Sequence, residues 1–208
     1  MTPNDPLTLA GWRRTIAETY AAARQVAASD PERAWREWRA VRDMLFKTHP
    51  QTPLAADSLP AFQGLSYYPY DPRWRLTGRV DRPVTVETFN LDLPADGRIH
   101  YTRIAQAGFT VGGQAACLSL FWIEGYGGGL FLPFNDATNS AGTYGGGRYL
   151  FDTIKGADLG VTPTEIVLDF NFAYNPSCAY DARWVCPLAP RENRLAFAVP
   201  AGEQQFSH

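Results

Sequence analysis

What most limits the folds open to this chain is a change of rhythm near residue 50. Upstream, apolar residues recur at steps of three and four; downstream, short alternating runs are cut by frequent Gly and Pro. Leu9, Trp12, Ile16, Tyr20, Ala23 and Ala27 fall on one face of a predicted helix over residues 9–28. Asp30-Pro31-Glu32 then offers an N-cap, a proline at the first helical position and an acidic first turn. The second predicted helix carries Trp35, Trp38, Val41, Leu45 and Phe46 on one side and stops at His49-Pro50. Aromatics at helical spacing face a core, so this Trp stripe is read as packing.

After residue 50 the alternation is that of strands. Trp74–Val80, Val84–Glu87 and Arg98–Arg103 each alternate between two faces, with a turn at Ala95-Asp96-Gly97. Gln114–Glu124 is apolar on both faces and reads as a central strand. Gly129–Phe134, Arg148–Ile154, Glu165–Phe170 and Arg194–Val199 bring the expectation to roughly eight or nine strands at a spacing typical of all-β folds. The predicted fold is mainly β, an antiparallel barrel or rolled sandwich, with residues 1–50 as a helical hairpin docked on a body of 51–208. A chain of 208 residues buries its apolar surface around a single core of this size.

Charge excludes some functions. The formal net charge is −2, without the basic excess that a nucleic-acid surface requires. No run reaches the ~18 apolar residues of a membrane-spanning helix, and MTPNDPLTLAGW lacks a basic segment followed by an apolar one. The expectation is a soluble cytoplasmic protein, which three sparse cysteines suit. No cofactor is expected, since neither a Walker A loop nor a dinucleotide fingerprint is present. Oligomeric state is not legible.

Polar side chains concentrate in two places. In TYGGGRYL (143–150), successive glycine amides could form an anion-binding nest with Arg148 as clamp; alternatively the glycines make a tight turn and Arg148 pairs with Asp136 or Asp169. In the run from Asp169 to Leu195, alternation would set Asp169 and Asn171 on one strand face, with Tyr174 and Asn175 beyond. Asp169 is then a general base or the fixed counter-ion of Arg148. Glu192 is a second candidate base. Glu192 and Asn193 either cap their own loop or face the same cavity.

Cys178 and Cys186 admit three readings. Zinc would need a second close pair of ligands, and the chain adds His49, His100 and His208, so no metal is expected. Cys178 could be a nucleophile with His49 as its base. The pair could also be small buried side chains or a facultative disulfide. The expected ligand site therefore comprises Arg148, Asp169, Asn171 and Tyr174, with Asn175, Glu192 and Asn193. The expected occupant is a small polar or anionic metabolite. An enzyme using the same pocket and an interaction scaffold are the alternatives.

Four strings carry a resemblance: HPQTPL (49–54), FQGLSYYPYDPRW (62–74), LFLPFNDATNSAGTYGGGRYL (130–150) and LDFNFAYNPSCAYDARWVCPLAPRENRL (168–195). Their order resembles the bacterial and archaeal domain-of-unknown-function family numbered 1684, over residues from about 35 to 203. Ser177 and Ala189 stand where that pattern has prolines. The resemblance implies a helical N-terminal part before the signature segments, and it implies no activity.

Overall fold

The computed structural model describes residues 5–82, 84–93 and 97–207. Two helices come first. Helix α1, Pro6–Val26, begins where the Asp5 carboxylate accepts from Leu7 N at 2.9 Å. Helix α2, Pro31–Thr48, begins where Asp30 accepts from Arg33 N at 3.0 Å, with Pro31 at its first turn. It ends because His49, preceding Pro50, is extended at φ −84° and ψ 137°.

The body is one curled antiparallel sheet, a half-barrel. Its strands are β1 (Arg75–Asp81), β2 (Thr88–Leu93), β3 (Gly97–Val111), β4 (Gln114–Ile123), β5 (Gly129–Phe134), β6 (Arg148–Asp152) and β7 (Glu165–Asp169). Their order is β6-β5-β4-β3-β1-β7, with β2 added to β3. The long β3 organises the curl: its first half pairs with β2, its second with β1, and a register shift between Arg103 and Ala105 marks the bend. β4 lies inside the sheet, between β3 and β5. At Gly78 of β1 neighbouring side chains close over the bare backbone, since a Cβ there would meet Leu168 Cδ1 at 2.8 Å and Ala107 Cβ at 3.3 Å.

The helices close the concave side. Ile16, Tyr20 and Ala23 of α1 and Trp35, Trp38 and Leu45 of α2 share one buried cluster with Ala107, Leu118, Leu132, Phe134 and Phe170. Trp38 is 1% exposed and meets the Phe172 ring at 4.9 Å, while Trp35 Nε1 donates to Asn171 O at 2.9 Å. A smaller cluster of Tyr101, Phe121, Phe131 and Tyr149 fills the other face of β3 to β6.

Some sequence expectations change. Seven strands form among the described residues. Val84–Glu87 is not a strand: Arg103 engages it instead, its Nε donating to Thr85 O at 3.0 Å and its backbone N to Glu87 O at 2.9 Å. Arg194–Val199 makes a single parallel bridge, Arg194 with Asn135. Ala137 N still donates to Phe197 O at 3.1 Å, but at Val199 side chains take up the backbone groups, its N donating to Asp136 and its O accepting from Arg148. The turn expected at Ala95-Asp96 lies outside the described residues.

Candidate functional site

The polar residues singled out in the sequence do not form one site. Arg148, at the start of β6, is 1% exposed and lies inside a clasp. Its Nη2 donates to Asp136 Oδ2 at 2.8 Å and to Val199 O at 3.0 Å, its Nη1 donates to Ala201 O, and its guanidinium lies 5.1 Å from the centre of the Phe134 ring. Asp136 Oδ1 accepts from Thr138 N, Thr138 Oγ1 and Val199 N. Of the two acids expected, Asp136 is the partner. The preceding glycines form a turn in which Gly147 N donates to Tyr144 O at 3.1 Å. Gly147 has φ +90°, and a Cβ there would lie 2.6 Å from Phe134 O.

Asp169 belongs elsewhere. β7 ends at this residue, and Phe170–Phe172 is a 3-10 turn that Asp169 caps, accepting from Asn171 N at 3.1 Å and Asn171 Nδ2 at 2.9 Å. The cap, not strand alternation, brings Asp169 and Asn171 together. Arg75 donates to the other oxygen at 3.2 Å, so Asp169 is not the counter-ion of Arg148. Burial raises the Asp169 pKa against the pull of Asn171 and Arg75. Asn171 also ties down the 71 segment, accepting from Asp71 N at 3.0 Å and donating to Asp71 O at 2.9 Å.

Asn193 is a staple between strands, accepting from Ser119 N at 2.8 Å and donating to Ser119 O at 2.9 Å and Pro133 O at 2.7 Å. Glu192 accepts from Arg103 at 2.9 Å near the surface. Neither points to a shared cavity with Asp169. His49 accepts from Gln51 N at 3.1 Å and sets its ring edge-on to Trp12 at 5.2 Å, and burial lowers its pKa. Neither contact involves Cys178.

Tyr174 and Asn175 are different. They line a cavity of about 70 Å³ together with Tyr20, Arg42, Tyr180 and Lys155. The Tyr20 and Tyr174 hydroxyls and Asn175 Oδ1 are buried there without a hydrogen-bond partner. The orientation of the Asn175 amide is fixed, since its Nδ2 donates to Glu203 Oε1 at 3.1 Å and Gln204 O at 2.8 Å. Behind the cavity Glu203, 1% exposed, accepts from Arg42 Nη2 at 2.8 Å, Asn175 N at 3.1 Å and Tyr180 Oη. Burial pushes the hydroxyl pKa of both Tyr20 and Tyr174 up, so both keep their protons.

The cavity continues outward past Trp12, Pro53, Lys155 and Ser177 into a groove of about 480 Å³. Leu9, Trp184 and Val185 give this groove apolar walls, Asp5, Arg13, Gln51 and Lys155 its polar ones, and Cys186 lines it as well. Lys155 pairs with Asp152 at 3.3 Å, an acid that raises its pKa and keeps it charged. Sequence reasoning named Tyr174 and Asn175 and missed Tyr20, Arg42, Lys155 and Glu203. Tyr20 was visible as part of a helical stripe, but nothing in that stripe distinguishes a hydroxyl with a partner from one without.

Among the described residues, no group of three His, Cys, Asp or Glu could hold a metal ion, and no helix is long and apolar enough to cross a membrane.

A two-helix cover over a curled sheet, with long signature loops locking the two together, defines the class. The chain belongs to the family described as protein of unknown function (DUF1684), which matches residues 60–204. Its fold is similar to the solution NMR structure of an uncharacterized protein of Haloarcula marismortui, at 33% identity and a TM-score of 0.63, over 85% of this chain and 95% of that one. No curated protein matches the chain.

Proposed function

We propose that the protein binds a small polar or anionic molecule in the groove between α1 and residues 174–186, with a polar head in the inner cavity. One observation carries this reading: the Tyr20 and Tyr174 hydroxyls and Asn175 Oδ1 are all buried, all without partners, and all lie at one cavity. A buried polar group without a partner costs about 1–3 kcal/mol, and folded proteins leave few of them. Three at one place suit a receptor that a guest completes. Two hydroxyls can donate to the guest while Asn175 Oδ1 accepts from it, which suits a hydroxyl or carboxyl-bearing head. Arg13 and Lys155 outside favour a negative charge further along the guest. A groove of about 480 Å³ lies within the size range of small-molecule sites. An odd, sparse set of three cysteines supports a reducing compartment, the cytoplasm.

The test is a thermal-shift panel of small hydroxy acids, carboxylates and inorganic phosphate, run on the parent protein and on Tyr174→Phe, followed by calorimetry of any hit. The expected result is a compound that stabilises the parent and has at least about tenfold weaker affinity for Tyr174→Phe, the loss of one buried hydrogen bond. A panel that moves neither protein, or moves both alike, leaves the cavity to water and overturns the reading.

A further inference from the structure

Cys178 and Cys186, beside the groove, remain to be explained. Cys178 sits in the 3-10 turn Ser177–Ala179, whose neighbour Ser177 lines the groove, and Cys186 lines it directly. Both thiols are free and both residues are partly exposed. Two contacts hold them in place. Cys178 N donates to Cys186 Sγ at 3.4 Å, and the Tyr144 hydroxyl donates to Cys178 Sγ at 3.6 Å. A hydroxyl directed at one sulfur stabilises its thiolate, the form that attacks. Beside them Trp184, Val185 and Leu188 are 37%, 47% and 45% exposed, an apolar ledge on which the body of a substrate can rest.

We propose that Cys178 and Cys186 form a thiol–disulfide exchange site whose substrate is a low-molecular-weight disulfide, with Cys178 attacking and Cys186 resolving. The Cys178 thiolate attacks one sulfur of the substrate, forming a mixed disulfide and releasing the other half as a thiolate. That thiolate takes up the proton leaving Cys186. The Cys186 sulfur then attacks Cys178 Sγ, closing the protein disulfide and expelling the second half, which takes a proton from water. Two electrons pass from the cysteine pair to the substrate, one S–S bond breaks and one forms, and two thiols leave.

The division of labour follows from the surroundings. The neighbouring Cys186 thiol holds the Cys178 thiol down at about 6, with the Tyr144 hydroxyl assisting and burial opposing. Cys186 is pushed up by the same contact and by burial, so it keeps its proton until the mixed disulfide has formed. Cys117, exposed on β4, has its thiol raised chiefly by burial and serves as an internal control. This inference stands apart from the ligand reading, because it needs neither the inner cavity nor the Tyr174 hydroxyl.

The experiment uses the whole 208-residue chain in reduced form. Iodoacetamide labelling with peptide mapping gives a rate for each cysteine across pH, and oxidised glutathione followed by intact mass spectrometry gives the products. At neutral pH Cys178 should be alkylated at least about tenfold faster than Cys117, because far more of it is thiolate. Oxidised glutathione should convert the parent to a Cys178–Cys186 disulfide with release of two equivalents of glutathione. Cys186→Ser should stall as a glutathionyl adduct on Cys178, and Tyr144→Phe should move the Cys178 alkylation midpoint upward. The idea is overturned if Cys178 of the parent reacts no faster than Cys117, if its midpoint is that of an ordinary thiol, or if Cys186→Ser carries its adduct on Cys117. The parent's own labelling rates decide the matter even if a variant fails to fold.

Discussion

The Arg148 clasp and the groove beside Tyr174 draw on the same stock of polar and aromatic side chains, yet they finish differently. In the clasp the Asp136 carboxylate and both terminal guanidinium nitrogens of Arg148 have partners, while at the groove two hydroxyls and an amide oxygen face a cavity with none. Polar density alone therefore does not mark a site. The Nε of Arg148 is also buried without a partner, so the regions differ in degree: the clasp closes a carboxylate and two carbonyls around its cation, whereas three polar atoms at one cavity are left with none.

The largest effect should come from breaking the clasp. Asp136→Asn keeps shape but strands a guanidinium that is wholly buried, so the protein should lose about 3–5 kcal/mol in a urea titration. A loss below about 1 kcal/mol would mean that the carbonyls of Val199 and Ala201 alone can hold the cation, and the region would cease to be a clasp.

Asp169→Asn should cost less, about 1 kcal/mol near neutral pH, because its partner Arg75 is 30% exposed and can turn to water. Its pH dependence sharpens the point. Burial raises the folded-state pKa above the ordinary 3.8, so the folded protein holds that proton more tightly than the unfolded chain. The parent's extra stability is then fully present below 3.8 and declines as pH rises through the folded value. The gap between the denaturant midpoints of parent and variant should be widest near pH 3 and narrow toward about pH 7, where the cost of about 1 kcal/mol remains. A gap that widens with pH would show that the pair with Arg75 outweighs burial.

The smallest change in stability belongs to the open side. Tyr174→Phe removes a hydroxyl that has no partner, so the midpoint should move by less than about 1 kcal/mol in either direction. A loss as large as that of Asp136→Asn would erase the distinction between the regions.

Periodicity made the helices and most of the sheet legible, and capping chemistry placed the start of α2 at Asp30-Pro31. It failed where backbone groups are satisfied by distant side chains. Residues 194–199 carry a strand-like pattern and begin to pair with 135–137, but at Val199 the side chains of Asp136 and Arg148 occupy the ladder positions. The Asp169–Asn171 pair was legible as a pair but not as a cap, since strand and 3-10 turn bring the two carboxamide-sized side chains together by different geometry. For the site, the sequence named Tyr174 and Asn175 without their partners across the cavity. Tyr20 and Arg42 lie more than a hundred residues upstream, and no local pattern reports a pairing over such a span.

That span has a cost in time. Arg42 Nη2 meets Glu203 Oε2 across a sequence separation of 161 residues. A ribosome adding about 5–20 residues per second delivers the second partner roughly 10–30 s after the first. During that interval the helical hairpin has its aromatic stripe and a cation destined for burial, but neither the sheet nor the counter-ion that will enclose them. Burial of the Arg42 cation is therefore timed by the emergence of a glutamate 161 residues downstream.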